Sequence, residues 1–287
     1  MRTIDLQTQI KFERILLATD FSAGAEMAQA YAVGLALQDG STLQLTTVVT
    51  LPSLDAISEC ALDSVRHSSE EDLHRLANDI PKVKVTRKVI EGFQRAGAIV
   101  DEGSRSCADL IVLGTASKHG LKKLALGSTA EEVVRTAGCP VLTVGPRVAA
   151  PPHGPLTFHS IVYATDFSAQ AAKGVRLALA LGHAAGTKVY LCHVVADHGG
   201  TNDEQEEAKF RASLKALIPA SAKCSCEPEL VVEHGKASEA ILHLAKRVHA
   251  DLIVLGARKA SFWLEFIQTG LTPALLAEAT CPVLTVC

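Results

Sequence analysis

Three short segments occur twice in this chain, in the same order, and that repetition constrains the fold more than any other property. "LLATDFSA" around Asp20 returns as "VYATDFSA" around Asp166, 146 residues on. "DLIVLG" at Asp109 returns at Asp251, and "CPVLTV" at Cys139 returns at Cys281, each 142 residues on. The second copy is thus net four residues shorter between the first two landmarks. A spacing of about 140 residues is a duplicated domain and not the period of a short solenoid. Each copy must then fold around its own core, and 287 residues suffice for two such cores. The segment "GPRVAAPPHGPLTFHS", rich in proline and glycine, marks the boundary. It predicts domains at 1–147 and 156–287, joined by a linker at 148–155.

Within a copy, short apolar runs alternate with helical patterns. "RILLAT", "TLQLTTVV", "KVTRKVIEG", "ADLIVLG" and "PVLTVG" read as strands. "SAGAEMAQAYAVGLALQ", "SEEDLHRLANDI", "RAGAIVDEGSRSC" and "STAEEVVRTA" read as the helices between them, the first capped by Ser22. Copy two follows with "SIVYAT", "KVYLCHVV", "EPELVVEHG", "ADLIVLG" and "PVLTVC". Near-continuous apolar strands separated by helices predict α/β architecture: two tandem doubly wound domains, each a parallel sheet covered on both faces. Ligands of such sheets sit beyond the carboxyl ends of the strands, at a topological switch point. The repeated "ATD" and "VLG" both fall at strand carboxyl ends.

In copy one, Gly114 is followed by Ser117, Gly120 and then Gly127-Ser128-Thr129 opening a helix. Small residues let a ligand approach the backbone, and a helix N-terminus offers N–H groups to an anion. Ser128 can add its hydroxyl or cap the helix. Lys118, His119, Lys122 and Lys123 supply positive potential between them. The same residues also suit a solvated loop leading into an ordinary helix. Neither a P-loop nor a dinucleotide fingerprint is present.

The order "ATDFS", "DLIVLG", the glycine-spaced loop, "GS" and "CPVLTV" resembles the universal stress protein family, as a tandem two-domain member. The resemblance covers nearly the whole chain. It implies an open sheet of five parallel strands in each domain, with ATP or a related adenine nucleotide at the strand ends. The family's ATP-binding pattern G-x2-G-x9-G-[ST] falls on Gly114, Ser117, Gly127 and Ser128, with Ser117 replacing the middle glycine. Asp20 would contact adenosine, Val48 would lie at a backbone contact, and Leu113 and Thr129 would line the ribose and phosphates. If position 117 needs a left-handed backbone, serine costs about 1–2 kcal/mol there. Micromolar binding is worth about 8 kcal/mol, so a site survives that loss.

Copy two departs further. Gly256 remains, but Lys259 takes the middle position and Thr269-Gly270 the terminal pair. Lys122 and Lys123 become Leu264 and Glu265, while Gly120 and Leu121 become Phe262 and Trp263. A triphosphate is not expected there. Phe262, Trp263 and Phe266 either form an interaction surface or fold inward to fill the vacated pocket. Asp166 is either a remnant adenosine contact or the organiser of the turn into the next helix.

No catalytic constellation emerges from spacing. His119 is the lone loop histidine, and Asp20 belongs to the adenosine end. Cys139 and Cys281 read as small core residues, and Cys224 and Cys226 lack the second close pair that a zinc site needs. A net charge of −3 does not draw in nucleic acid, and no apolar run approaches the length of a membrane span. "MRTIDLQTQIKFER" lacks the apolar core of a signal peptide, so a cytoplasmic protein is expected.

The expectation is a stress-response binding or signalling module holding one ATP per chain, with Mg²⁺ on the phosphates. A scaffold without nucleotide, or a slow ATPase, are the alternatives. The apolar terminal runs predict pairing of the copies within the chain, as an intramolecular pseudo-dimer, because an exposed edge of that kind invites aggregation. Whole chains are expected to form a homodimer.

Overall fold

The computed structural model describes residues 11–51, 59–115, 127–168, 171–182, 186–196, 204–219, 227–256 and 271–286. Ser117, Lys118, His119, Lys122, Lys123, Cys224, Cys226, Phe262, Trp263 and Phe266 lie outside them. The chain divides into two compact units, Lys11–Leu156 and one containing Thr157–Cys287.

In the first unit the elements run β1 (Arg14–Ala18), α1 (Ala23–Asp39), β2 (Thr42–Thr50), α2 (Glu59–Asn78) and β3 (Lys84–Gly92). They continue with α3 (Arg95–Arg105), β4 (Leu110–Gly114), α4 (Ser128–Thr136) and β5 (Val141–Val144). The strands are all parallel, in the order β3-β2-β1-β4-β5. After β3 the chain passes back beyond β1 to form β4, so its direction of travel reverses between β1 and β4. Right-handed crossovers then place α1 and α2 on one face and α3 and α4 on the other. Consistently, α1 packs on β1 and β4 while α3 packs against α4.

The second unit repeats this plan. Its elements are β6 (Ser160–Ala164), α5 (Ala171–Leu181), β7 (Lys188–Val195), α6 (Glu204–Leu217), β8 (Glu229–His234), α7 (Ala237–Arg247), β9 (Leu252–Gly256), α8 (Leu271–Glu278) and β10 (Val283–Val286). They are parallel in the order β8-β7-β6-β9-β10. The doubly wound α/β fold expected of each copy is therefore present.

The repeated aspartate before "LIVLG" holds the central strands together. In copy one the Asp109 carboxylate accepts from the backbone N–H of Glu13 at 2.7 Å and of Arg14 at 2.8 Å. The Asp109 N–H donates back to the Arg14 carbonyl at 2.9 Å. Asp251 does the same with His159 at 2.7 Å and Ser160 at 3.1 Å. Burial pushes the Asp251 carboxyl up from its usual range, and those backbone bonds oppose the shift.

Three features differ from the sequence expectation. First, α2 begins at Glu59, well before the expected "SEEDLHRLANDI". No proline or glycine interrupts the preceding stretch, and the ion pair of Arg66 with Asp63 and the approach of His67 to Glu71 support its exposed faces. Second, the proline-rich segment lies along α1. Val148 and Leu156 are buried, Tyr31 Oη donates to the Ala149 carbonyl at 3.1 Å, and Leu156 N–H donates to the Gly34 carbonyl at 2.9 Å. Gly34 permits this approach, since a Cβ there would stand 2.9 Å from Leu156 Cβ. Third, the core of copy one contains an acid. Glu102 is 2% exposed and accepts from Gln44 at 2.7 Å, Lys88 at 2.7 Å and Arg105 at 3.0 Å. Copy two has buried Leu244 at the equivalent position, and the counterpart of Arg105, Arg247, pairs with Glu233 at 2.6 Å.

His193 on β7 is a polar group peculiar to copy two, where copy one has Thr47. Its Nδ1 lies 2.8 Å from the Thr165 carbonyl, which can only accept, so Nδ1 carries the proton. Its ring sits 4.4 Å from that of Phe167 and 4.7 Å from that of Phe210. Burial pushes the imidazole pKa down, opposed by the Thr165 bond and the Asp166 charge.

Two expected outcomes follow from these buried groups. Glu102→Ala should destabilise the chain by about 2 kcal/mol in chemical denaturation, because Gln44 loses its buried acceptor. Glu102→Leu should cost less, since it fills the volume as copy two does. Equal losses in both variants would contradict this account. For His193 the native pKa lies below the unfolded value of about 6.5. Its contribution is then complete above that pH and is lost as pH falls through 6.5 toward the native value, where the unfolded chain takes up a proton the native state resists. Thermal melts of the wild type should therefore weaken between about pH 7.5 and 5.5 more than those of His193→Phe, which cannot titrate.

Candidate functional site

The direction of travel reverses between β1 and β4, and in sheets of this kind such a reversal is where a crevice opens beyond the strand carboxyl ends. Register defines its floor. Ala18 at the end of β1 pairs with Thr46 on one side and Leu113 on the other. Asp20 lies two residues beyond Ala18, Val48 two beyond Thr46, and Gly114 one beyond Leu113, so the structure brings these expected residues to one end of the sheet. Leu113 is buried, Val48 and Gly114 are half-buried, and Asp20 is exposed.

The "TDFS" segment forms a tight turn held by its own side chains. Thr19 Oγ1 accepts from Phe21 N–H at 3.0 Å, and Asp20 Oδ1 accepts from Ser22 N–H at 3.1 Å. Ser22 in turn caps α1 as expected, its Oγ accepting from Ala25 N–H at 3.3 Å. Phe21 is forced to φ 59°, a left-handed conformation that costs a bulky residue about 1–3 kcal/mol. Copy two builds the same turn: Phe167 has φ 60°, Thr165 accepts from Phe167 at 3.0 Å, and Asp166 accepts from Ser168 at 2.9 Å. Each aspartate is thus tied to its turn through Oδ1. Sequence reasoning passed over Thr19 and Phe21, although the identity of the segment in both copies was the signal.

Gly114 has a packing reason to be glycine. A Cβ there would lie 2.1 Å from the Gly24 carbonyl oxygen and 2.8 Å from the Ala25 nitrogen. The end of β4 and the first turn of α1 therefore touch backbone to backbone, and a side chain at 114 would part them whether or not a ligand is bound. Gly127 is different. It is the N-cap of α4 with φ −60° and ψ 131°, a conformation any residue adopts, and no described atom lies within 4 Å of a Cβ built there.

Ser128 does not cap α4: it is the first helical residue, and among the described residues no side chain caps that helix. The first helical bond runs from Glu131 N–H to the Gly127 carbonyl at 3.1 Å. The N–H groups of Ser128, Thr129 and Ala130 precede it and have no carbonyl within the helix to bond. Such a terminus suits phosphate oxygens, although Glu131 in the same turn offsets part of its positive potential. Ser128 is exposed and Thr129 half-buried. Among the described residues, no cluster of three or more His, Cys, Asp or Glu side chains could hold a metal. Among them too, no helix is long and apolar enough to cross a membrane.

In copy two the equivalent end of the sheet holds a cavity of about 160 Å³. Asp166, Val194, Leu255 and Gly256 line it, and these are the counterparts of Asp20, Val48, Leu113 and Gly114.

The sequence profile of the universal stress protein family matches this chain twice, at residues 11–145 and 157–286. A universal stress protein of Methanocaldococcus jannaschii is 30% identical over 140 residues, covering 46% of this chain and 82% of its own length. A putative universal stress protein of Staphylococcus epidermidis is 31% identical over 142 residues, 47% of this chain and 85% of its own. Each of these alignments spans about one copy. Among solved structures, a universal stress protein from Archaeoglobus fulgidus superposes with a TM-score of 0.73 over 95% of both chains, at 22% identity. A putative universal stress protein from Pseudomonas aeruginosa gives 0.59 over 96% of this chain and 93% of that one, at 18% identity. At such identities the superpositions show the fold, while the two profile matches span nearly the whole sequence, so the chain belongs to the universal stress protein family.

Proposed function

We propose that the chain is a stress-response binding module that holds ATP, or a related adenine nucleotide, in its N-terminal copy. The observation that carries this reading is the start of α4. Gly127 occupies the N-cap without any backbone need for glycine, no described side chain caps the helix, and the first N–H groups have no carbonyl partner within the helix. In this reading those donors, with the Ser128 hydroxyl, hold phosphate oxygens, while Asp20, Val48 and Leu113 accommodate the nucleoside at the strand ends. Thr129 would stand beside the phosphates, and Ser117 would occupy the loop between. Gly114 would contribute by letting α1 and β4 meet. Mg²⁺ would arrive on the phosphates, since the described residues offer it no cage of their own. The alternative expectations, a scaffold without nucleotide and a slow ATPase, are outcomes of the same experiments.

Calorimetric titration with Mg-ATP should give a stoichiometry near one per chain, and two equivalent sites would contradict the reading. Gly127→Asp places a negative charge among the phosphate donors and should weaken ATP by about a hundredfold. It should leave stability within about 0.5 kcal/mol of the wild type, because nothing described is displaced. Unchanged affinity in that variant would point to the scaffold reading. Ser128→Ala should weaken ATP about three- to tenfold.

For assembly, the apolar terminal runs in the sequence support pairing of the copies within the chain, and we extend this to a homodimer of whole chains. Light scattering should then give about twice the 30.3 kDa chain mass. Persistence of the single mass at micromolar concentration would exclude the dimer.

A further inference from the structure

The outer strands of the two units, β3 and β8, differ in what they leave open. β3 pairs with β2 over its whole length, from Lys84 beside Thr42 to Gly92 beside Thr50, and with no other described strand. Leu51 N–H donates to the Gly92 carbonyl at 3.1 Å, so Gly92 faces β2. Alternation along the strand then turns the N–H and carbonyl groups of Val85, Arg87, Val89 and Glu91 away from the sheet. Among the described residues nothing bonds to these groups. In β8, Gly235 N–H donates to the Val195 carbonyl at 2.9 Å, and the same alternation turns the Leu230 carbonyl outward. There Arg211 Nη1 of α6 donates to it at 2.7 Å, and Glu207 holds the guanidinium at 2.7 Å. A side chain laid over a strand edge blocks the addition of another strand. Arg66, the arginine of α2 that reaches β3, bonds the Glu91 carboxylate instead and leaves the backbone open.

The two edges also differ in charge. Lys82, Lys84, Arg87 and Lys88 are exposed, and no acid interrupts them before Glu91. Register sets Lys88 beside Thr46, and Val231 beside the counterpart of Thr46, Cys192. Leu230 and Val231 therefore replace Arg87 and Lys88, and Glu227 replaces Lys84. Beside the β3 edge a groove of about 600 Å³ runs between His74 and Arg75 of α2 and Arg87, Lys88 and Val89 of the strand. Glu70 and Glu71 also line it, Glu71 lying 3.3 Å from His67. Near the carboxyl end of β3 stand Val65 and Phe93, 51% and 66% exposed, the two exposed large apolar side chains among the described residues. A second β3 does not suit this edge, because antiparallel self-pairing centred on the strand sets its cations against one another.

We infer that β3 is a docking edge for an acidic, extended segment of another protein, which adds to the first unit as a further strand. Its backbone bonds the outward groups of Val85, Arg87, Val89 and Glu91, its carboxylates meet the cations from Lys82 to Lys88, and an apolar residue at one end rests on Phe93. In strand addition of this kind the main-chain bonds give affinity and the side chains give specificity. β2 stands between this edge and the crevice of β1 and β4, so docking and nucleotide binding can each fail without the other.

The test uses the full, isotope-labelled chain and a fluorescein-labelled peptide of alternating valine and glutamate that ends in leucine. Fluorescence anisotropy should report binding that weakens as salt is raised. In the complex the amides of Val85, Arg87, Val89 and Glu91 should gain protection from hydrogen exchange, while those of Thr86, Lys88 and Ile90, which face β2, should keep what they have. The same peptide with lysine for glutamate should bind about tenfold more weakly or worse. Lys84→Glu combined with Arg87→Glu should weaken the acidic peptide by about the same factor. Val89→Pro removes an outward donor and no bond to β2, and it should abolish the new protection. If the proline loosens the strand, the charge-reversed pair decides the matter, since it leaves the backbone intact. Gly127→Asp should change none of this. No rise in anisotropy up to about 1 mM peptide would overturn the proposal. So would equal binding of the lysine peptide, or protection of the four outward amides in the peptide-free chain that dilution removes, since a second copy would then cover the edge.

Discussion

The rest of each unit depends on one carboxylate. β1 and β4 are neighbours in space but lie far apart in sequence, with three helices and two strands between them, and nothing local brings them together. Asp109 joins them by accepting from two successive N–H groups at the entry to β1 while its own N–H returns a bond to Arg14. Charge-assisted bonds of this kind are roughly twice as strong as neutral ones. They also set register, since a slip of one residue would leave the carboxylate facing a single donor. With β1 and β4 aligned, the reversal point opens at their opposite ends, and a crevice forms without further instruction. The second unit uses Asp251 for the same purpose.

At the crevice the backbone is held under tension. The left-handed phenylalanine of the "TDFS" turn costs free energy locally, whereas Gly114 meets Gly24 without strain because it has no Cβ. The turn persists because the flanking strand and helix over-determine its path. The turn delivers Asp20 to the surface with one oxygen committed, and the glycine contact brings the start of α1 against the end of β4. A rigid floor results. What lies above that floor differs between the copies, through changes of single side chains such as Thr46 to Cys192 and Arg95 to Ala237.

The architecture was legible because duplicated motifs and apolar periodicity report on strands buried from both sides, and both signals are local. "TDFS" and "DLIVLG" were visible as landmarks, but their mechanics were not: that Thr19 and Asp20 bond within the turn depends on a φ value no spacing reveals. Gly114 read as room for a ligand, whereas its nearest claimant is the α1 backbone. The early start of α2 escaped notice because its ion pairs lie on exposed faces, with weak apolar rhythm. Proline and glycine at 148–155 suggested a plain connector, yet Val148 and Leu156 are buried and the segment bonds to α1 through Ala149 and Leu156. Composition there reports conformational preference and not contact. Glu102 could not be picked out as buried, since its three donors come from β2, β3 and the next turn of its own helix.

The contrast between Glu102 and Leu244 bears on how a duplicated chain folds at all. Two copies with one topology invite exchange of equivalent elements during folding, a recurrent failure of repeat proteins. Here α3 carries a carboxylate that finds its donors on its own β2 and β3, while α7 carries a leucine fitted to an apolar bed. A helix that docked in the wrong copy would bury an acid without its amide and ammonium partners, or leave those partners facing a hydrocarbon. Such mismatched burial costs more than the native arrangement. The divergence of a single core position therefore acts as an identity mark, by which each half of the chain distinguishes its own helix from its twin's.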